Sequence, residues 1–146
     1  MNIIKLYRIS NYFYKKKITV IANIIYYLQF LIFNSSIPPS TKIGRNAKVA
    51  YGGIGLVIHG KAVIGENCFI GQNITIGGKS KIYKYPKIGN NVYMAAGCRI
   101  LGNIKIGNNV IIGPNSVVVK DVPDNCIVVG IPAKILKENI NVADYV

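Results

Sequence analysis

Acidic residues are the scarcest chemistry in this chain. Five Asp and Glu stand against 18 Lys and Arg in 146 residues, a formal net charge of +13 at pH 7. So basic a balance points to an anionic partner: nucleic acid, an acidic membrane surface or a phosphorylated small molecule. Any single lysine is as readily a solubilising surface charge as a contact. Three cysteines, Cys68, Cys98 and Cys126, form no close pair, which excludes a disulfide framework and fits a reducing, cytoplasmic setting. No CxxC or Cys/His cluster offers zinc ligands, and no metal is expected. The chain contains a single histidine, His59.

Long apolar runs are also missing. The longest, residues 18–33 (ITVIANIIYYLQFLIF), is shorter than the roughly 20 residues a membrane-spanning helix needs, and Asn23 and Gln29 interrupt it. No small-residue cleavage site follows it, which argues against a signal peptide. Residues 1–36 are expected to form a short helical segment. It would pack on the body or on a neighbouring subunit, or lie peripherally on an acidic membrane through residues 1–33, at the inner face of the membrane. Nucleic-acid signatures are absent: GGIGLV (52–57) lacks the third glycine and the βαβ context of a dinucleotide fingerprint, and no helix-turn-helix, zinc-finger or RNP pattern occurs. No nucleic-acid partner is expected.

What the chain has is a six-residue period. Stepping from Ile58 gives Ile64, Ile70, Ile76, Ile82, Ile88, Met94, Ile100, Ile106, Ile112 and Val118. The next residue is usually small: Gly65, Gly71, Gly77, Gly89, Ala95, Gly107 and Gly113. Four after each aliphatic comes a second inward candidate, including Cys68 and Cys98, which read as core packing. Ile43 and Val49 share the step but are out of phase by three residues, with the break in AYGGIGLV (50–57). This is neither helical nor alternating periodicity. It fits short strands joined by tight corners with Asn or Gly in left-handed conformation. Three sides make a coil of about 18 residues, stacked as in other solenoids. The expected fold is all-β, a parallel β-helix over residues 37–135 with a helical or frayed tail at 136–146. KSKIYKYP (79–86) reads as a projecting loop, although Ile82 keeps the register.

An 18-residue coil puts His59, Gly77, Ala95 and Gly113 above one another on one edge, provided the 79–86 loop leaves the count undisturbed. His59 occupies a position that is otherwise small, so its ring should point outward at the end of a smooth groove. Histidine suits proton removal from a hydroxyl near neutral pH. The alternative is a surface or interface histidine with no chemistry.

The pattern [Ile/Leu/Val]-Gly-x-x-[small]-x resembles the hexapeptide repeat of the left-handed β-helix acyltransferases. IPPSTKIG (37–44), GLVIHGKAVIGENC (55–68), IGQNITIGG (70–78), residues 86–118 and VVGIPAKI (128–135) resemble serine acetyltransferases and their O-acetyltransferase relatives. The resemblance implies a left-handed coil, a homotrimer, acetyl-CoA held in a groove between subunits, and His59 as general base. It places Lys120 and Lys134 at the nucleotide end of the coenzyme, with Arg99 and the loop lysines Lys79, Lys81 and Lys84 as further cations. Gly77, Gly78, Ala95, Ala96 and Gly113 would let the pantetheine arm lie close to the backbone. The chain departs from serine acetyltransferases where the family grips the amino acid: Ile58 and Tyr85 replace an aspartate and a second histidine, and Ser36 stands near another aspartate position. Ile58 and Tyr85 are therefore the candidate acceptor-binding residues. The short helical lead into SIPPS resembles a branch acting in polysaccharide biosynthesis. A sugar or glycan-precursor hydroxyl is the preferred acceptor, L-serine the close alternative, and N-acetylation of an amino sugar a third. A non-catalytic scaffold is the reading from another class.

Overall fold

The computed structural model describes residues 2–145 as two helices packed on a parallel β-helix. Every inward aliphatic of the six-residue series except Ile82 lies in a strand two or three residues long. The strands stack into three sides. The first holds Val57–Ile58, Thr75–Gly77, Arg99–Leu101 and Val117–Val118. The second holds Lys42–Ile43, Val63–Ile64, Lys87–Ile88 and Lys105–Ile106. The third runs Lys48–Val49, Phe69–Ile70, Tyr93–Met94 and Ile111–Ile112, then ends in an antiparallel hairpin of Cys126–Gly130 and Ala133–Glu138. Isoleucines of successive coils lie directly over one another, so the core is one continuous apolar column. Burying each such side chain contributes about 1.5–3 kcal/mol.

Corners are made by asparagine. Asn46, Asn67, Asn73, Asn91, Asn109, Asn115 and Asn125 have φ between 54° and 58°, the left-handed region asparagine tolerates. One edge is also a side-chain ladder. Asn46 Nδ2 donates to Asn67 Oδ1 at 3.1 Å, and the Asn91–Asn109 and Asn109–Asn125 steps repeat the contact at 3.0 Å.

Besides the three-residue phase break in the first coil, the expected count fails at the coil that carries the 79–86 loop. Ile58 pairs with Ile76 after eighteen residues, but Ile76 pairs with Ile100 after twenty-four. The 79–86 segment adds one full six-residue step without adding a strand to any side. Ile82, in register by sequence, is 40 % exposed and pairs only with Lys79 inside the loop. An insertion of exactly one period keeps every later isoleucine in phase, so the sequence shows no break.

The N-terminal segment belongs to the same core. In α1 (Ile3–Lys15), Ile3, Ile4 and Tyr7 are buried against the first coil. Tyr7 Oη donates to Thr41 O at 2.6 Å, Arg8 donates to the carbonyls of Ile43 and Gly44, and Asn11 Nδ2 donates to Pro39 O at 2.7 Å. The helix thus occupies carbonyls of the first coil, an edge that would otherwise invite another strand. In α2 (Thr19–Phe33) only Ala22 and Gln29 are buried, while apolar residues such as Leu31, 78 % exposed, face outward. Among the described residues no helix is long and apolar enough to cross a membrane. The tail differs from the helical or frayed expectation: it is strand to Glu138, buries Ile140 and ends in a 3-10 turn at Val142–Asp144.

The close stacking of coils makes some glycines obligatory. A Cβ on Gly65 would lie 2.3 Å from Gly89 O, whereas one on Gly77 meets nothing nearer than Leu101 Cδ2 at 3.9 Å. Gly65→Ala should cost about 1–3 kcal/mol in denaturant unfolding and Gly77→Ala close to nothing; equal effects would contradict this packing.

Burial pushes the Cys98 thiol up from its ordinary value of 9.0 to about 12. The unfolded chain therefore ionises this thiol first. Its contribution is full below about pH 9 and falls as pH rises towards 12, by up to about 1.4 kcal/mol per pH unit. Cys98→Ala should flatten the alkaline arm of the stability–pH curve.

Candidate functional site

His59 follows the strand Val57–Ile58 at the corner between the first and second sides, and is partly exposed as expected. Its ring stacks on Tyr85, with centroids 3.9 Å apart and planes 12° from parallel. Tyr85 is delivered by the end of the inserted loop. Gly78 makes room for it, since a Cβ there would lie 2.9 Å from Tyr85 Cε1. The Lys61 ammonium sits 5.6 Å from the Tyr85 ring centre, a cation–π contact.

The backbone N–H of Lys61 donates to His59 Nδ1 at 3.1 Å. In this orientation the neutral ring carries its proton on Nε2. Base action through Nε2 requires the proton on Nδ1, and so requires the Lys61 contact to open. A half-turn about Cβ–Cγ achieves this without tilting the ring plane, so the Tyr85 stack survives it.

The groove beside His59 is not the one the 18-residue count predicts. The column above it is Gly77, Leu101 and Val119, because Gly77 pairs with Leu101 across the long coil. Ala95 and Gly113 instead follow the third-side strands Tyr93–Met94 and Ile111–Ile112, at a different corner, with Ala96 next in chain. Their place beside the His59 groove is corrected by the inserted step. Ile58 points into the core and is 1 % exposed, so within the chain it cannot touch an acceptor. Arg99 is on the first side but is engaged: its Nη1 donates to the carbonyls of Asn73, Gly97 and Cys98. Lys120 follows Val119 at the far end of the His59 column, and Lys134 lies on the closing hairpin opposite Val129; both are exposed. Gly78 serves Tyr85 and also borders the groove.

Two clefts flank the inserted loop. One, of about 730 Å³, is lined by Gly78, Leu101, Gly102, Ile82 and Val119, with Lys79 at its border. Its walls are mostly small or apolar, with Ser80 and Asn103 also among them, and fit an extended, largely aliphatic arm beside the His59 column. The other, of about 500 Å³, is lined by Lys61, Lys84, Tyr85, Lys87 and Lys105 with Asn103 and Ile104. Sequence reading missed Lys61, Lys87 and Lys105. A signal existed: Lys-Ile-Gly recurs at 42–44, 87–89 and 105–107, and pairing stacks Lys87 directly on Lys105.

The stacked parallel β-helix runs on a six-residue step with a partly exposed histidine at one corner, and residues 85–120 match the bacterial transferase hexapeptide family, a unit of six repeats. The chain is similar to the serine acetyltransferase of Synechococcus elongatus, 38 % identical over 132 residues, 89 % of this chain and 54 % of that protein. The crystal structure of serine acetyltransferase from Brucella abortus superposes with a TM-score of 0.90 at 34 % identity, covering 95 % of this chain and 57 % of that one. The same enzyme in complex with coenzyme A gives a TM-score of 0.88 at 34 % identity, over 92 % and 54 %. The chain thus spans little more than half the length of these relatives.

Because His59 is the sole histidine, its ring can be read without ambiguity. Ring ¹⁵N spectra at alkaline pH should show the proton on Nε2; a dominant Nδ1–H form would contradict the Lys61 contact. Tyr85→Ala should abolish the ring-current shift of the His59 protons and Tyr85→Phe should keep it.

Proposed function

We propose that this protein transfers an acetyl group from acetyl-CoA to a hydroxyl of a small acceptor, with His59 as general base. The observation that carries this is the partly exposed ring of His59 at the head of an apolar groove on a hexapeptide-repeat coil. His59 removes the hydroxyl proton as the oxygen attacks the thioester carbonyl. An acetyl ester forms, the carbon–sulfur bond breaks, and the proton passes to the departing thiolate of coenzyme A. The groove bordered by Gly77, Gly78, Leu101, Gly102 and Val119 accepts the pantetheine arm, and Lys120 and Lys134 are the cations for the coenzyme's phosphates.

The relatives' names favour L-serine as acceptor over the sugar preferred from sequence. A sugar or glycan-precursor hydroxyl is retained as a second reading on one observation: among the described residues no carboxylate pairs with His59 to receive an α-ammonium. Assembly into a homotrimer is part of the proposal, with a neighbouring subunit covering the open flank of the groove. The exposed apolar side of α2 beside Lys15, Lys16 and Lys17 supports peripheral contact of residues 1–33 with an acidic membrane at the cytoplasmic face.

His59→Ala should lower kcat/KM by about 10²–10⁴-fold while leaving coenzyme A affinity nearly unchanged. Coenzyme A release would be followed with L-serine and a panel of free and nucleotide-linked sugars. An alanine variant of normal rate would remove His59 from the chemistry.

A further inference from the structure

No lysine of the cleft beside His59 is paired in a salt bridge among the described residues. Lys61, Lys84, Lys87 and Lys105 are all exposed and border one space of about 500 Å³. Among the described residues the one ion pair joins Arg45 to Glu66. Asp121 Oδ1 accepts the Lys105 backbone N–H at 2.8 Å, and its carboxylate makes no salt bridge to a cleft ammonium. Four ammonium groups around one cleft repel each other, and a bound anion relieves that repulsion. Asn103 adds a neutral polar side chain to the same wall.

The cleft also has a fixed relation to the chemistry. Tyr85 forms part of its lining and stacks on His59, and Lys61 lies two residues after His59 with its ammonium over the Tyr85 ring. The apolar cleft lies on the Gly78 side of the same loop, and both clefts share Asn103 and Ile104. The donor arm and an anionic group therefore have separate places that meet near His59.

We propose that this cleft binds a phosphate or diphosphate ester on the acceptor, so that the hydroxyl acetylated at His59 belongs to a phosphorylated molecule, such as a nucleotide-linked or phosphorylated sugar. The inference rests on the O-acetyl-transfer reading in its second form, with a sugar rather than L-serine as acceptor, but its binding step stands independently. It disfavours an acceptor that presents a bare ammonium group, which four lysines would repel.

The test uses the full chain and inorganic pyrophosphate as probe. Pyrophosphate should bind the wild type by calorimetry. Affinity should fall about tenfold for each cleft lysine changed in Lys87→Gln and Lys105→Gln, and Lys87→Arg should retain it. Coenzyme A affinity should stay within twofold, because the donor's phosphates lie elsewhere. In turnover, the double Lys→Gln variant should raise KM at least tenfold for a phosphorylated acceptor, leave kcat nearly unchanged, and leave KM for the matching unphosphorylated sugar alone. Pyrophosphate binding indifferent to the lysines would overturn the proposal, as would a parallel loss of coenzyme A affinity or turnover of L-serine alone. Lysine-dependent pyrophosphate binding with no acetyl transfer to any hydroxyl would instead uphold the anion site and remove the transferase reading.

Discussion

Backbone pairing between successive coils is the constraint from which the other features follow. Gly65 N–H reaches Ile88 O at 2.9 Å, Gly89 N–H reaches Ile106 O at 2.9 Å, and Gly107 N–H reaches Val122 O at 2.8 Å. Such spacing leaves no room for a Cβ at those corners and forces left-handed backbone at the asparagines. Once the coils are locked, each outward residue has a fixed neighbour one coil away. A side chain on this surface is therefore placed by its register, and a six-residue insertion relocates everything above it.

Register explains what the sequence could and could not show. The inward column was legible because burial demands a large aliphatic at every sixth residue, and Ile58, Ile76, Ile100 and Val118 all comply. The coil length was not legible, because inserting one whole period leaves that demand unchanged. His59 stood out as a histidine in a row of small residues, and its outward placement holds. Its groove partners were misread by one step, so Leu101 and Val119 take the places expected of Ala95 and Gly113. The Tyr85 stack could not be read at all, since it joins two residues across the inserted loop. Packing of the helical segment on the body was among the expectations, but the polar contacts that seat α1 on the first coil were not legible. Tyr7, Arg8 and Asn11 look like ordinary polar helix residues until the carbonyls they meet are known.

The inserted loop is more than an interruption. It carries Tyr85 to His59, separates two clefts of opposite character, and contributes Ile82 to the apolar one and Lys84 to the basic one. The glycine at 78 belongs to the same arrangement, because any larger residue would displace the Tyr85 ring. Where the serine acetyltransferase pattern has a second histidine, this chain has an aromatic surface that fixes the plane of the first. That exchanges a second titratable group for orientation.

Charge then bears on what the site accepts. Glu66 is paired with Arg45, Asp121 and Asp124 accept backbone N–H groups of Lys105 and Asn108, and Glu138 and Asp144 lie on the C-terminal segment. None of the five acids of the sequence thus touches His59, whose partners are the Lys61 N–H and the Tyr85 ring. A histidine without a carboxylate partner loses the usual means of holding its proton on Nδ1, and here Nδ1 takes the Lys61 N–H instead. In the proposed reading, His59 acts as base only once that contact opens. An anion drawn into the lysine cleft acts on the segment that makes it, because Lys61 provides both the cleft ammonium and the N–H on the ring. In that reading, acceptor charge and base orientation meet in one residue, Lys61, two positions along the chain from His59.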